Sequence, residues 1–469
     1  MRTSPEVTLP LKLDGDGALP VQIAAELRRL IGERVLAPGD RLPSSRALAE
    51  HLGISRGSVV ACYDQLLAEG YLSSAAGKST VVNPLLLQVH PPSRQLPSPA
   101  QAGPSEGIDL RPGRPSTTGV VGPAWKSAWR QASVGAVDAP IPHLGLATVR
   151  AAWAEHLRRM RGLVRDPAQI AVTAGGREGL ALLLLALSGG RSKPLTVGVE
   201  EPGYPSLRRV PARHGATVVP LPVDEHGLRV ADLPTGHDAP DLLLVTPSHQ
   251  YPLGGSLPMD RRQALLEWAA GHDVVVVEDD YDSELRYTSH PLPTLTSLDD
   301  PDAGRVVLLG TLSKTLTPAL AIGFLTLPAR LVPVVAETRA DLGQPVGLVA
   351  QRAVAGYLTS GALRLHTQRM RQLYRRRRAK VVGALSGVPG IRVHPMDGGL
   401  HAVVETSHDE SRIVEQLASA GVRVSPLSRY WSGAGNAGIV FGFGAVTEAE
   451  LERGLALIRD LCATHDAEE

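Results

Sequence analysis

The chain has 469 residues, with 48 Lys or Arg against 47 Asp or Glu, so it is not a broadly basic nucleic-acid-binding protein. Its two cysteines, Cys62 and Cys462, cannot build a disulfide framework, and the sequence does not begin like a signal peptide, so we expect a cytoplasmic protein. The apolar run LALLLLAL is far shorter than the roughly 20 residues that cross a bilayer, which predicts no membrane partner.

The first zone, residues 19–83, has a helical pattern followed by a hairpin pattern. An apolar stripe that begins at Ile23 predicts a first helix, which we expect to end at Pro38 and Gly39. The nine basic and nine acidic residues of the first 83 cancel, so any DNA contact must come from local placement of charge.

Two more helices are predicted at short spacing. The second begins at the capping pair Ser44 and Ser45 and ends at Gly53, and the third begins after Ser55 with polar residues in its first turn. Two helices joined by a short glycine-containing turn are typical of a helix-turn-helix DNA reader. The runs YLSS and STVV predict a hairpin wing. A plain three-helix bundle with solvated arginines is the alternative.

Residues 84–107 are rich in Pro, Ser and Gly and predict an extended linker. From residue 108 onward, Val- and Leu-rich runs alternate with helical stretches: QIAVTAG, PLTVGVE, DLLLVTP, DVVVVED and RVVLLG. Such runs predict an α/β fold with buried, mostly parallel strands, whose ligands bind beyond the carboxyl ends. After about residue 331 we expect helices again, and residues 364–378 predict an amphipathic helix with a solvated basic face. Guidance of DNA by that face is the alternative.

Two of these runs end in residues suited to pyridoxal phosphate (PLP). Asp279 and Tyr281 follow VVVVE, and Lys314 follows RVVLLG within GTLSKTLTPAL. A lysine amine can form a Schiff base with the aldehyde of PLP, and an aspartate can keep its ring nitrogen protonated. These residues predict a PLP site with Lys314 as the catalytic residue, and no metal site. We expect Asp280 and Asp282 to be local caps or surface acids.

A phosphate site is predicted beside it. Gly175 and Gly176 lie between a predicted strand and helix, where free backbone N–H groups and the positive helix end can receive a dianion. Thr311 and Ser313 can add hydroxyl groups.

The segments LPSSRALAEHLGISRGSV and EGYL closely resemble the GntR family of winged-helix regulators. The resemblance implies phosphate contacts from the first arginine and serine group and major-groove contacts from the start of the third helix. Lys78 stands where the wing commonly has glycine. The implied DNA-binding residues are Arg41, Ser44, Ser45, Arg46, Ser55, Arg56, Gly57, Ser58 and Lys78.

The segments EEPGYPSLRR, TPSHQYPLGG, EDDYDSELRY and GTLSKTLTPAL extend the resemblance over residues 19–460, to the MocR (GabR-like) subfamily of GntR regulators. That likeness implies a winged helix-turn-helix joined by a linker to a fold-type I aminotransferase-like domain with large and small subdomains. We expect domain limits of 12–83, 84–107 and 108–469. It also implies a head-to-tail homodimer.

By the same likeness, Lys314 is the Schiff-base lysine and Asp279 pairs with the pyridine nitrogen. Tyr281 donates to the ring oxygen, and Tyr204 flanks the ring. His249 or Gln250 stands in place of an asparagine that helps to hold that oxygen. The full implied cofactor set is Lys314, Asp279, Tyr281, Tyr204, Gly175, Gly176, Arg177, His249, Gln250, Thr311 and Ser313.

The chain departs from its relatives at two charged positions. They usually carry an arginine seven residues beyond the lysine, where this chain has Ala321. Arg177 stands where they commonly have glutamine and could return that charge; a solvated helix residue is the alternative. The substrate-carboxylate arginine of the pattern RLSF is missing from NAGIVFGFG, although Arg208 or Arg429 could substitute.

The leading hypothesis is a PLP-dependent transcription regulator that binds operator DNA and senses PLP or an amino compound. It would control genes of vitamin B6 or amino-compound metabolism. One alternative is an active aminotransferase with an attached DNA-binding module. Another is a regulator whose PLP site has degenerated.

Overall fold

The computed structural model describes residues 9–13, 17–74, 79–86, 107–136, 140–287 and 292–463. By its internal contacts the chain divides into two compact units, 1–104 and 105–469. Most of the predicted linker lies outside the described residues, so the predicted domain limits stay predictions.

The first unit is a small helical body with a two-stranded hairpin, and its core is built from the apolar stripes of the three helices. Leu72 of β1 pairs with Val82 of β2 in an antiparallel register, which confirms the predicted wing hairpin. Its elements are α1 Leu19–Gly32, α2 Ser45–Leu52, α3 Arg56–Ala68, β1 Leu72–Ser73 and β2 Val81–Val82.

The predicted starts of α2 and α3 are confirmed by their caps. The Ser44 hydroxyl accepts the Ala47 N–H at 3.1 Å, and the Ser55 hydroxyl accepts the Ser58 N–H at 3.2 Å. Gly53 ends α2 with a φ of 65°, a left-handed conformation that suits glycine.

The predicted end of α1 at Pro38 and Gly39 was wrong, because α1 ends at Gly32. The N–H groups of Val35 and Leu36 both donate to the carbonyl of Leu30, at 2.9 and 3.1 Å, which turns the chain back. Leu36 is thereby fully buried. Burial of this leucine decides the helix end before the proline is reached.

The second unit contains a large mixed sheet, a small antiparallel sheet and the surrounding helices. Its helices are α4 Pro123–Val134, α5 Ala147–Arg161, α6 Gly176–Ser188, α7 Pro205–Arg213, α8 Met259–His272, α9 Leu295–Leu298, α10 Val332–Leu342, α11 Leu348–Thr359, α12 Ala362–Leu385, α13 Glu410–Ser419 and α14 Glu448–Ala463. Its strands are β3 Ile108–Asp109, β4 Ile170–Thr173, β5 Thr196–Glu201, β6 Thr217–Asp224, β7 Gly227–Leu228, β8 Leu242–Val245, β9 Val275–Asp279, β10 Val306–Thr311, β11 Gly323–Thr326, β12 Ile391–Val393, β13 His401–Thr406, β14 Val422–Arg423, β15 Ser425–Pro426 and β16 Gly438–Gly442.

The large sheet has the strand order β4-β11-β10-β9-β8-β5-β6-β7. The five strands from β10 to β6 are parallel, while β11 is antiparallel to both of its neighbours. Leu308 and Leu309 of β10 belong to different apolar clusters, because successive side chains point to opposite faces of a strand. The predicted mostly parallel, two-sided sheet is confirmed.

The region after residue 331 contains strands as well as the predicted helices. Helices α10 to α12 are present as predicted, but they are followed by a four-stranded antiparallel sheet, β12-β13-β16-β15, that was not predicted. Strands β13 and β16 are antiparallel neighbours, with His401 opposite Gly442 and Glu405 opposite Gly438.

The basic face of α12 is not simply solvated, contrary to the expectation. The Arg377 guanidinium is buried and donates to the carbonyls of Phe443 and Gly444, at 2.9 and 2.7 Å. Arg371 donates to the carbonyl of Glu284 at 2.7 Å. These arginines are used to hold backbone carbonyls that would otherwise lack donors. Over the described part of the chain, none of the helices is apolar enough over sufficient length to span a membrane.

Candidate cofactor and DNA-binding sites

The residues predicted to bind the cofactor lie on loops at the carboxyl ends of neighbouring strands. Asp279 ends β9 and is paired in register with Leu309 of β10, while Thr311 ends β10. Tyr204 lies in the loop that joins β5 to α7. Ligands in open α/β sheets bind at this edge, so the topology brings the predicted residues to one place.

Lys314 is half-buried beside a glycine turn and an aromatic ring. Its Nζ donates to the carbonyl oxygen of Gly113 at 3.0 Å and lies 5.7 Å from the centre of the Tyr204 ring. Gly113 has a φ of 94°, and a Cβ there would lie 3.0 Å from Nζ. A side chain at Gly113 would therefore crowd the amine, and glycine leaves it room.

The carboxyl group of Asp279 is buried without compensation. It is 7% exposed and makes neither a hydrogen bond nor an ion pair within the described residues. Burial, reinforced by the nearby carboxylates of Asp280 and Asp282, raises the pKa of Asp279 to about 8, and the positive charge of Lys314 opposes this rise. A cationic or N–H donor partner would satisfy this carboxyl group.

His249 and Tyr281 form a buried polar cluster with Asp282. The Tyr281 hydroxyl lies 2.9 Å from His249 Nδ1 and donates to the carbonyl oxygen of His249 at 3.1 Å. Asp282 Oδ2 lies 3.0 Å from the same Nδ1. Burial, and then the Asp282 carboxylate, raise the pKa of Tyr281 well above its ordinary value, so its hydroxyl keeps its proton.

The expectation that Asp280 and Asp282 are caps or surface acids was wrong. Asp282 is 4% exposed and pairs with His249. Asp280 is paired with the buried guanidinium of Arg161 at 3.1 Å. Arg161 of α5 holds Asp280 and His249 holds Asp282, and both carboxylates contribute to the field at Asp279.

Gln250 and His249, in the loop after β8, differ in whether their side chains are free to bind a ligand. The Gln250 amide donates to the carbonyls of Pro202 and Tyr251, at 2.8 and 2.9 Å, so its hydrogen bonds are used within the loop. His249 instead faces Tyr281. The sequence reasoning missed Tyr251, whose buried ring lies 5.1 Å from Tyr204 and 5.5 Å from Tyr281. Its position directly after His249 and Gln250 was the available signal.

The predicted phosphate site is the start of α6 with the turn after β10, which we call the phosphate cup: Gly175, Gly176, Thr311 and Ser313. Gly175 precedes α6 with a φ of 94°, and no side chain caps the helix. Thr311 Oγ1 would lie 3.9 Å from a Cβ at Gly175 and is 2.8 Å from the Ser313 hydroxyl. The uncapped start of α6 and two hydroxyls therefore lie together, and phosphate binding here stays a prediction.

Arg177 and Ala321 flank the phosphate cup. Arg177 is exposed in the first turn of α6, with no ion pair or hydrogen bond to the described residues. Ala321 has a φ of 46°, and the next residue, Ile322, accepts the Leu312 N–H at 3.2 Å. Charge compensation by Arg177 stays a prediction.

Most of the residues predicted to contact DNA are exposed in the first unit. Arg41, Arg46 and Arg56 are exposed and have no carboxylate partner in the described ranges, whereas Arg28 and Arg29 are neutralised by glutamates. Ser44, Ser55 and Gly57 are exposed, Ser45 and Ser58 are half-buried, and Lys78 lies outside the described residues. These three guanidinium groups are therefore available to DNA although the total charge of the unit is balanced.

Known proteins resemble both units. The family model described as bacterial regulatory proteins of the gntR family matches residues 19–82. The chain is 48% identical over 444 residues to the HTH-type pyridoxine biosynthesis transcriptional regulator PdxR of Corynebacterium glutamicum, covering 94% of this chain and 96% of that protein. It is 33% identical to the probable rhizopine catabolism regulatory protein MocR of Rhizobium meliloti, covering 96% and 95%.

The chain belongs to the MocR/GabR-like subfamily of GntR transcription regulators. As a GntR regulator it binds DNA through its winged helix-turn-helix. Its second unit resembles an archaeal alanine:glyoxylate aminotransferase, with a TM-score of 0.69 and 23% identity, covering 76% of this chain and 90% of that one. The predicted fold class is confirmed for this MocR-type regulator, and the roles of its individual site residues stay predictions.

Proposed function

We propose that this MocR-type regulator binds PLP at Lys314 and that PLP changes its affinity for operator DNA next to genes of vitamin B6 metabolism. The observation that carries the proposal is the buried Asp279 carboxyl, without a hydrogen-bond partner in the described residues, at the end of the strand next to the one that leads to Lys314. The name of the C. glutamicum relative, a regulator of pyridoxine biosynthesis, supports the choice of genes.

The residues present fit PLP. The phosphate cup supplies helix N–H groups and hydroxyls for a dianion, and Asp279 supplies a carboxyl for a ring N–H. Tyr281 supplies a protonated hydroxyl, and His249 orients it. When bound, PLP supplies an aldehyde that reacts with an amine. Lys314 presents that amine beside Gly113, and Tyr204 and Tyr251 line the place with apolar ring surface.

Regulation by the cofactor is favoured over repeated transamination by the charges around the site. The stretch NAGIVFGFG supplies no arginine for a substrate carboxylate. Arg208 does not replace it freely, because it is paired with Glu201 and donates to the Tyr430 carbonyl at 2.9 Å. Arg429 has no ion pair within the described ranges, so its substitution for the missing arginine stays a prediction. A guanidinium already satisfied in this way is a poor means of orienting a substrate for proton transfer.

Covalent trapping tests the proposal. The protein is incubated with PLP, reduced with borohydride and digested, and the pyridoxyl group is located by peptide mass analysis. We expect the label on Lys314 and a loss of label in Lys314→Ala, with full labelling in Lys126→Ala, which changes an exposed lysine of α4. Label distributed over surface lysines, or unchanged in Lys314→Ala, would contradict the proposal.

We further propose that two chains form a head-to-tail homodimer, as the family likeness implies. Light scattering after gel filtration measures the mass directly. A mass of one chain at the concentration that saturates operator DNA would refute the dimer.

A further inference from the structure

Tyr204 lines a second pocket beside the Lys314 site, and that pocket is rich in arginine. We call it the arginine pocket, and its walls include Arg111, Arg114, Tyr204, Ser206, Ser425 and Arg429. Its residues come from the segment after β3, the start of α7 and the segment around β15. Apart from Tyr204, none of them belongs to the predicted cofactor set.

The positive charge of this pocket exceeds its negative charge. Asp109 accepts two hydrogen bonds from Arg111, at 2.9 and 2.8 Å, and one from Arg114 at 2.7 Å, and it lies 3.5 Å from Arg423. One carboxylate is thus shared by three guanidinium groups, and Arg111 above all holds the pKa of Asp109 down at about 2. Arg429 is exposed and, within the described ranges, has neither an ion pair nor a hydrogen bond.

The first turn of α7 adds backbone donors. Pro205 is its first residue, and Tyr204 precedes it without a side-chain cap. The N–H of Ser206 has no backbone acceptor in the described part of the chain. The positive end of α7 therefore borders the same pocket as Arg111, Arg114 and Arg429. Backbone N–H groups and guanidinium groups together suit an oxyanion.

We propose that the arginine pocket binds a small organic dianion, a phosphate ester or a dicarboxylate, as an effector separate from the phosphate cup. Two charges suit it better than one, because Arg111, Arg114 and Arg429 line the pocket and the single carboxylate of Asp109 offsets only one of these three charges. Tyr204 lines the pocket, and the centre of its ring lies 5.7 Å from Lys314 Nζ. A molecule bound in the pocket would therefore contact a ring that also borders the lysine. The effect on DNA rests on the proposed function, whereas the binding does not.

Calorimetric titration of the full-length protein tests the pocket. The protein is first saturated with PLP, so that the phosphate cup is filled, and is then titrated with inorganic phosphate or succinate at constant ionic strength. We expect one site per chain, weakened roughly 10-fold to 100-fold in Arg114→Ala and in Arg429→Ala, since each removes one charge-assisted contact. Arg209→Ala, an exposed arginine of α7 outside the pocket, is the matched control and should bind as the parent does.

Comparing phosphate with succinate distinguishes the two classes of effector. Tighter binding of phosphate indicates a phosphate ester, and tighter binding of succinate indicates a dicarboxylate. Equal binding of acetate, or unchanged binding in both pocket variants, would overturn the proposal. If borohydride trapping finds no PLP on Lys314 but Arg429→Ala still weakens dianion binding, the pocket stands and the proposed cofactor function fails.

Discussion

The buried carboxyl of Asp279 makes stability depend on pH in the cofactor-free protein. Its pKa is about 8 in the folded chain and close to the ordinary value of 3.8 once unfolded. Between these values the folded state holds a proton that the unfolded state has lost, so the free energy of unfolding falls as pH rises from about 4 to about 8. Buried Glu200, with a pKa of about 7, adds a decline of the same sign.

We expect Asp279→Asn to flatten this decline. Since one pKa unit corresponds to about 1 kcal/mol, the variant should be more stable than the parent by roughly 1 kcal/mol or more at about pH 8, and the difference should shrink at about pH 5. Urea unfolding at both pH values measures it. The same variant should bind PLP more weakly, because an amide cannot ion-pair with a protonated ring nitrogen. A variant less stable than the parent at about pH 8 would show that Asp279 is compensated.

Arg177 gives a second prediction at the level of single residues. If it supplies the charge that Ala321 lacks, Arg177→Ala should lower PLP affinity roughly 10-fold to 100-fold, and Ala321→Arg should raise it. Ala321 already has a φ of 46°, so its replacement by another non-glycine residue adds little backbone strain. Fluorescence titration with PLP measures both, and Arg213→Ala, in the last turn of α7, is the control. No loss in the first and no gain in the second would leave Arg177 as a solvated residue.

The residues predicted to hold the cofactor could be brought together from the sequence because they follow recognisable strands. Lys314, Asp279 and the two glycines at the start of α6 are of this kind. The buried setting of Asp282 could not, because its burial depends on helices and loops distant in sequence, such as the Gly399 turn, where a Cβ would lie 2.6 Å from the Asp282 carboxylate. Local sequence does not reveal which of three neighbouring acids lies inside.

At the level of elements, the turn into α3 can be tested through its glycine. A Cβ at Gly57 would meet only the Ser55 hydroxyl, at 3.9 Å, so Gly57→Ala fits the fold. Alanine also favours the helix by up to about 1 kcal/mol, so we expect unchanged or raised thermal stability. If the backbone of this first turn approaches DNA, the added methyl group should reduce operator affinity at the same time.

Gly32→Ala is the matched control for that experiment, because Gly32 ends α1 and a Cβ there would meet nothing within 4 Å. It should leave operator affinity unchanged in a fluorescence anisotropy titration. Equal operator affinity for Gly57→Ala and the parent would place this turn away from DNA.

The elements themselves were predictable to different degrees. The parallel strands β5, β8, β9 and β10 and the capped starts of α2 and α3 have strong local signals, and they were found, whereas the half-exposed parallel strand β6 was not. Strand β11 was missed because GFLT is short and directly follows the lysine loop, and its pairing with β4 and β10 is non-local. The β12-β13-β16-β15 sheet was missed because turns and α13 separate its strands along the chain. Pairing of this kind is fixed by tertiary packing rather than by propensity.

At the level of the whole molecule, the balanced charge limits how the protein holds DNA. Only locally unpaired arginines such as Arg41, Arg46 and Arg56 are available in the described part of the first unit. A small number of phosphate contacts predicts a moderate fall of operator affinity with salt. The double-logarithmic slope should become shallower by about one for each contact removed, as in Arg46→Ala.

If PLP regulates DNA binding, PLP and operator DNA must change each other's affinity by equal factors. When PLP changes operator affinity by some factor, operator DNA changes PLP affinity by the same factor, because both describe one coupling free energy. We expect this factor to lie between about 5 and about 150, the usual range for such coupling. Anisotropy titrations of operator with and without PLP, and PLP titrations with and without operator, measure the two factors independently. Lys314→Ala should bind operator with an affinity that no longer responds to PLP. Unequal factors would mean that more than two ligands are coupled, and a factor of one in both titrations would separate the cofactor site from DNA binding altogether.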